Sequence, residues 1–275
     1  MGIRKTGIEL KPDMTKSILK SLEPGDKKRI NKIIDRVISL SEETSISEYE
    51  AIKQLYFDRH KNTEQKFLNR FNELADYITQ GVKISSVKQR LIGSYFLSEY
   101  TLECAALFNP SIIWHPDQSG LRNNEKRFII SMRATGEGHI SSLIFKTGII
   151  DSESKIIMDN DSHFCEMPQI KSFNDNQYEA EFDRHSEVSE RVLFPQMPAE
   201  SNGIEDARFV LFEGNGQKNY YATYTAYDGH NISTQLLKTE DFLNFTVKKM
   251  TGNEIKNKGM ALFPRKVNGK YVMLS

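Results

Sequence analysis

The sequence predicts a mainly β fold preceded by an all-α N-terminal segment, and three observations carry this. Apolar residues recur at helical spacing up to about residue 105. Beyond Pro110 the apolar runs become short, β-branched and aromatic. Gly, Asn and Asp punctuate those runs at the intervals expected of a sandwich, barrel or propeller. The chain accordingly divides into a helical segment over residues 1–105 and a β domain over residues 106–275.

From Asp26 to Leu40 the residues Ile30, Ile33, Ile34, Val37 and Ile38 mark the apolar face of a first helix, with Pro24-Gly25-Asp26 as turn and cap. Ser47 with Glu50 forms a capping-box pattern ahead of Ile52, Leu55 and Tyr56. Asn62 with Gln65 repeats it ahead of Phe67, Leu68, Phe71, Leu74 and Ile78, and Gly81 ends that helix. A fourth helical run opens at Ser86 and continues through Leu91, Tyr95, Leu102 and Leu107, broken near Gly93. It stops before Asn109-Pro110, because a residue preceding proline is pushed out of the α region. The first hundred residues are expected to be all-helical. Strands are expected at Phe128–Arg133, Ile140–Phe145, Phe209–Glu213, Tyr220–Tyr227, Ile232–Leu237 and Tyr271–Ser275. Residues 151–201 show many charges and little periodicity, and read as one weak strand region plus a long loop.

The composition is that of a folded globular chain, with 38% hydrophobic and 27% charged residues. The 37 basic and 37 acidic residues balance, which argues against general affinity for nucleic acid or an anionic membrane. The expected partner is neutral or small. Cys104 and Cys165 form neither a close pair nor a metal-ligand spacing, and so few thiols suit a reducing compartment. The start, Met1 to Thr6, lacks the apolar run of a signal peptide, so the cytoplasm is the expected location. His115, His163, His185 and His230 share no ligand spacing, and no metal is expected.

The densest chemistry lies in Asn202-Gly203-Ile204-Glu205-Asp206-Ala207-Arg208-Phe209, where two acids and a base stand between a turn and an apolar strand. Upstream are Asn109-Pro110-Ser111 and Ser131-Met132-Arg133-Ala134. Downstream are Tyr221-Ala222-Thr223-Tyr224-Thr225-Ala226 and Lys258-Gly259-Met260-Ala261-Leu262-Phe263-Pro264. In this order the five elements resemble glycoside hydrolase family 130. Its members phosphorolyse or hydrolyse β-mannosides, and they write the central element as Gly-(Ile/Val)-Glu-Asp-(Pro/Ala)-Arg. The resemblance covers about residues 100 to 275 and leaves the first hundred unexplained. It implies a five-bladed β-propeller with its site at the central axis, acting on a β-mannoside oligosaccharide.

Inverting cleavage of a glycosidic bond needs a carboxylic acid to protonate the departing oxygen while a nucleophile attacks the opposite sugar face. Asp206 is the candidate acid, where the family places it, with a proton relay through the mannosyl 3-hydroxyl. Glu205 is expected to point the opposite way along an extended chain, bracing the turn or binding a sugar hydroxyl. Arg208 lies on Asp206's side of the strand, as an ion pair or as the group orienting the acid. Arg133 at a strand end offers a planar fork of donors for sugar hydroxyls, and family correspondence assigns substrate binding to it and to Asn109. His139, in the loop Gly136-Glu137-Gly138-His139, is a further candidate for substrate contact, although a lone histidine is more often solvated or structural.

Phosphate as nucleophile needs a cationic cradle, whereas water needs a carboxylate base. The family's phosphorylases place a basic residue and then Asn before Leu-Phe-Pro. Here Lys258-Gly259 keeps the charge and lacks the amide. Lys258 is thus the phosphate-binding candidate, with inorganic phosphate a co-substrate and no other cofactor. A phosphorylase releasing α-mannose 1-phosphate, an inverting β-mannosidase and a non-catalytic sugar-binding propeller are the three classes of function weighed. The sequence stops at Tyr271-Val272-Met273-Leu274-Ser275 in mid-strand, and about 165 residues of β region hold roughly two to three blades at ~40–50 residues each. An incomplete ring from a truncated protein is therefore expected, with open edges that favour pairing, a homo-oligomer included.

Overall fold

The turn at Pro24-Gly25 ends in Asp26, whose carboxylate accepts the Lys28 amide at 2.9 Å and opens helix α1, Lys27–Ser39. The computed structural model in which this is seen describes residues 5–79, 81–214 and 217–274. The start Met1 to Arg4 and the end of the last expected strand, Ser275, lie outside the described residues. Two compact units are present, one of residues 17–100 and one of residues up to 16 together with 101 onward.

In the first unit α1 buries Ile30, Ile34 and Val37, the face its spacing predicts. Helix α2, Glu42–Tyr56, begins earlier than the Ser47 pattern suggests. Ser41 accepts the Thr44 amide at 3.1 Å, and Glu42 and Glu43 place negative charge in the first turn, which suits the positive end of the helix dipole. Ser47 therefore lies inside the helix. Helix α3, Thr63–Glu73, follows Asn62 as expected, but Asn62 is left-handed (φ +54°) and makes no capping bond, while Gln65 turns to Asn69. Helix α4, Ser86–Tyr95, is capped by Ser85 and ends well before Leu107. Gly93 does not break it. A Cβ there would lie 1.8 Å from the Phe67 carbonyl oxygen, so the glycine lets α4 approach the backbone of α3.

The expectation of an all-helical first hundred residues is corrected by strands β1, Ser17–Ser21, and β2, Leu97–Thr101, which pair in a two-stranded sheet. Cross-strand pairing of segments some eighty residues apart has no local signature. The core of this unit is Phe67, Leu91, Ile92 and Phe96 with the α1 residues. No helix of the described residues is long and apolar enough to cross a membrane.

The second unit is mainly β. Strands β3 (Ala106–Trp114), β4 (Lys126–Thr135), β5 (Ser141–Ile150) and β6 (Ile156–Met158) form an antiparallel meander. Strands β7 (Gln169–Asn174) and β8 (Gln177–Glu181) form a hairpin, and the short β9 (Val192–Leu193) adds to β5. A second meander comprises β10 (Gly203–Gly214), β11 (Gln217–Tyr227), β12 (Ile232–Thr239) and β13 (Asn244–Lys249), and β13 pairs with β8. A separate ladder joins β14 (Ala261–Leu262) to β15 (Met273–Leu274).

The main sheet runs from β3 to β7 and is open. Residues 151–201, expected as one weak strand and a loop, instead supply the β7–β8 hairpin. Its turn is set by Asn174, whose side chain accepts the amides of Asn176 and Gln177 at 2.9 and 3.0 Å. Beneath the sheet Phe145, Phe209, Phe242 and Phe245 pack ring on ring, with centroids 5.6–6.2 Å apart. The two meanders meet at one parallel pair, Gly203 with Ser141. Gly203 has φ +143°, and a Cβ on it would stand 2.9 Å from the Ser141 amide nitrogen, so only glycine fits this junction.

Candidate active site

Two β-bulges build the site. The β3–β4 register shifts between Phe108 and Ser111, and the β10–β11 register shifts between Glu205 and Arg208. Each bulge contains one left-handed residue, Asn109 at φ +48° and Asp206 at φ +57°, and these are the residue types that tolerate that region. Their side chains meet, with the Asn109 amide donating to Oδ1 of Asp206. Ser111 binds the same two strands together, since its hydroxyl accepts the Phe209 amide at 3.0 Å.

Arg133, on β4 opposite Phe108, reaches both acids. Its Nη2 donates to Glu205 Oε1 at 2.9 Å and its Nη1 to Asp206 Oδ1 at 3.5 Å, while Nε donates to Ser141 Oγ at 2.8 Å. The guanidinium also lies 5.8 Å from the centre of the Phe108 ring. Lys258 closes the group from the other side, donating to Glu205 Oε2 at 3.0 Å with its ammonium 5.7 Å from the Tyr227 ring. Hydroxyls moor the loop that bears it. Thr223 of β11 donates to the Met260 carbonyl, and Thr234 of β12 donates to that of Asn257 at 3.4 Å.

Exposure grades across the cluster, with the Glu205 side chain 9% exposed, Arg133 22%, Asp206 30% and Lys258 50%. Glu205 is thus an inner carboxylate with both oxygens engaged by cations, and Asp206 is the acid nearer solvent.

The structure brings together Asn109, Arg133, Glu205, Asp206 and Lys258 among the residues singled out in the sequence. The expectation that Glu205 and Asp206 point to opposite sides is corrected. The bulge interrupts strand alternation, and the left-handed turn at Asp206 aims both carboxylates at Arg133. Arg208 forms no ion pair with Asp206. It is exposed, pairs with Thr223 across the ladder, and its Nη2 lies 3.9 Å from where a Cβ on Gly259 would stand. That places it beside the Lys258-Gly259 turn. His139 is exposed in the turn between β4 and β5 at φ +59°, and its ring bonds none of the five. Ser141, Phe108 and Tyr227 also touch the cluster, and Thr135 reaches it through Ser141. Their only sequence signal is a polar or aromatic residue at the end of an apolar strand.

Below the site, the Glu200 carboxylate accepts the amides of Gln196 and Met197 at 2.8 and 3.0 Å and the hydroxyl of Tyr224, fixing the turn that feeds β10. Burial pushes its pKa up. Among the described residues no three His, Cys, Asp or Glu side chains gather as metal ligands.

A family model described as beta-1,4-mannooligosaccharide phosphorylase, that of glycoside hydrolase family 130, matches residues 84–275. No curated protein matches the chain significantly. Among solved structures, the chain is similar to the beta-1,2-mannobiose phosphorylase from Listeria innocua, at 14% identity and a TM-score of 0.34 over 63% of this chain and 51% of that one. It is also similar to a glycosyl hydrolase from Bacteroides ovatus, at 15% identity and a TM-score of 0.39 over 64% of this chain and 45% of that one. The chain spans about half the length of these structures.

Proposed function

The chain belongs to glycoside hydrolase family 130, a family of glycoside phosphorylases and hydrolases, and from that premise we propose that it serves the inverting phosphorolysis of β-mannosidic bonds. In this reading a phosphate oxygen attacks the anomeric carbon from the face opposite the leaving group. The glycosidic C–O bond breaks, the proton of Asp206 goes to the departing oxygen, and the products are α-mannose 1-phosphate and the shortened saccharide. The observation that carries the reading is the convergence of Asp206 with Asn109, Arg133, Glu205 and Lys258 at one place on the sheet.

Asn109 and Arg133 hold the sugar, and Lys258 receives phosphate at the exposed side. Arg208, beside the Lys258 loop, extends the cationic rim, and His139 contributes at most from the adjoining turn. The fold in this reading is a five-bladed β-propeller, to which the β3–β6 and β10–β13 meanders each contribute a blade. The setting is cytoplasmic, in keeping with two free cysteines, and the open sheet edges suit a homo-oligomer.

Glu205 is not placed to activate water. A general base must be free to take a proton, and both oxygens of this carboxylate are occupied by Arg133 and Lys258. The absence of an Asn after Lys258 favours the second reading, an inverting β-mannosidase. Incubating the protein with β-mannobioses, with and without phosphate, tests both. Mannose 1-phosphate formed only with phosphate supports phosphorolysis, free mannose in either case supports hydrolysis, and no turnover leaves a sugar-binding protein.

A further inference from the structure

Both carboxylates of the site converge on Arg133, so whatever fixes this guanidinium fixes the distance between acid and neighbour. An arginine head is a rigid planar fork on a flexible stem. With its two terminal nitrogens facing Glu205 and Asp206, the Nε edge is the remaining donor that can fix the stem end of the fork. Ser141 holds that edge, with Oγ 2.8 Å from Nε. Ser141 is fully buried, and its hydroxyl lies 3.2 Å from that of Thr135, its cross-strand partner on β4. Since Arg133 is the donor at Nε, the Ser141 oxygen accepts there and is free to direct its own proton to Thr135. Ser141 is also the residue through which β5 meets Gly203, the first residue of the strand carrying the acids. The missing Cβ of Gly203 allows that approach, so one serine both joins the two meanders and orients the arginine between the carboxylates.

We propose that Ser141 is a positioning residue, whose buried hydroxyl locks the Nε–H of Arg133 and thereby presents the guanidinium to Glu205 and Asp206 in the geometry used for catalysis. Its catalytic half rests on the reading of Asp206 as acid given above; its structural half does not. The test uses the full chain and two measurements. The first is hydrogen exchange of the Arg133 Nε–H, followed by nitrogen-15 NMR and identified with Arg133→Lys. It is expected to be protected in the parent, unprotected in Ser141→Ala, and protected again in Ser141→Thr, which restores the hydroxyl. The second is turnover of β-mannobiose with phosphate, expected to fall on the order of 10²-fold in Ser141→Ala through kcat more than KM. That loss should be absent when Ser141→Ala is added to Arg133→Ala, because the serine acts through the arginine. Full protection of Nε–H in a folded Ser141→Ala, or additive losses in the double variant, overturns the inference. If Ser141→Ala does not fold, Thr135→Val, which removes only the outer hydroxyl, is expected to weaken the same protection, and unchanged exchange there overturns it equally. A parent chain that turns over no mannoside overturns the functional reading and with it the catalytic half, while the exchange measurement still decides whether Ser141 locks Arg133.

Discussion

Asp206 sits at φ +57°, where Asn is as well tolerated as Asp. Asp206→Asn is therefore expected to keep the fold and sugar affinity while lowering turnover about 10²- to 10⁴-fold, the scale of positioned acid catalysis. A mannoside with an activated leaving group, which needs little protonation, should recover most of that loss, and near-normal rates on the unactivated substrate would remove Asp206 from the mechanism. Glu205→Gln removes the charge that Arg133 and Lys258 share. It is expected to raise KM for phosphate or sugar more than it lowers kcat, with a stability loss of about 1.5–3 kcal/mol, measured by denaturant unfolding. Glu205, Asp206 and Arg208 were legible as charges between a turn and an apolar strand, and Arg133 as a charge closing an apolar strand, whereas Asn109 was singled out only by the family resemblance. Their mutual geometry was not legible. Alternation along a strand predicted divergence of Glu205 and Asp206, and the bulge that reverses it arises from pairing with β11, which no single stretch of sequence encodes.

At the level of elements, glycine positions carry unusual weight. Gly203→Ala would place a methyl 2.9 Å from the Ser141 nitrogen in a backbone region that L-residues avoid. The expected cost is about 1–3 kcal/mol or more, with a parallel loss of Arg133 Nε–H protection as β10 and β5 separate. In the helical unit, His60 is buried with Nε2 2.7 Å from Glu99 Oε1, and burial lowers its pKa below 6.5. The unfolded chain then binds more protons than the folded one below that value. Stability is present above about pH 6.5 and is lost as pH falls through the folded pKa. The unfolding midpoint should drop as pH falls below about 6.5, and His60→Gln should flatten that slope. Helix α1 was readable from apolar spacing and its Asp26 cap, and α3 and α4 from apolar spacing alone, although α3 ends at Glu73 rather than Gly81 and α4 at Tyr95 rather than Leu107. Strands β1 and β2 were not, because Leu97–Thr101 reads as a continuation of α4 until its partner Ser17–Ser21 is known. The start of α2 was misplaced because Ser41 and Ser47 both offer capping hydroxyls and the acidic pair after Ser41 decides between them.

For the molecule as a whole, the two units differ in how locally they are wired. Helix contacts between neighbours form quickly, whereas pairings distant in sequence wait on loop closure. In refolding, the far-UV signal of the helices is expected to recover before the fluorescence of Trp114, the single tryptophan, which lies on β3. Coincident recovery of the two signals would show that the β unit is not the slow part. The contacts of the two carboxylates all join distant residues: Asn109 and Asp206 are 97 residues apart, Arg133 and Glu205 72, and Lys258 and Glu205 53. On a ribosome making about 5–20 residues per second, Arg133 waits several seconds for its first carboxylate, and the carboxylates wait again for Lys258. During that interval the β3–β6 meander can already form from neighbouring strands, with its arginine facing no acid. A nascent chain arrested before residue 258 would therefore present folded sheet in which Glu205 still lacks its second cation.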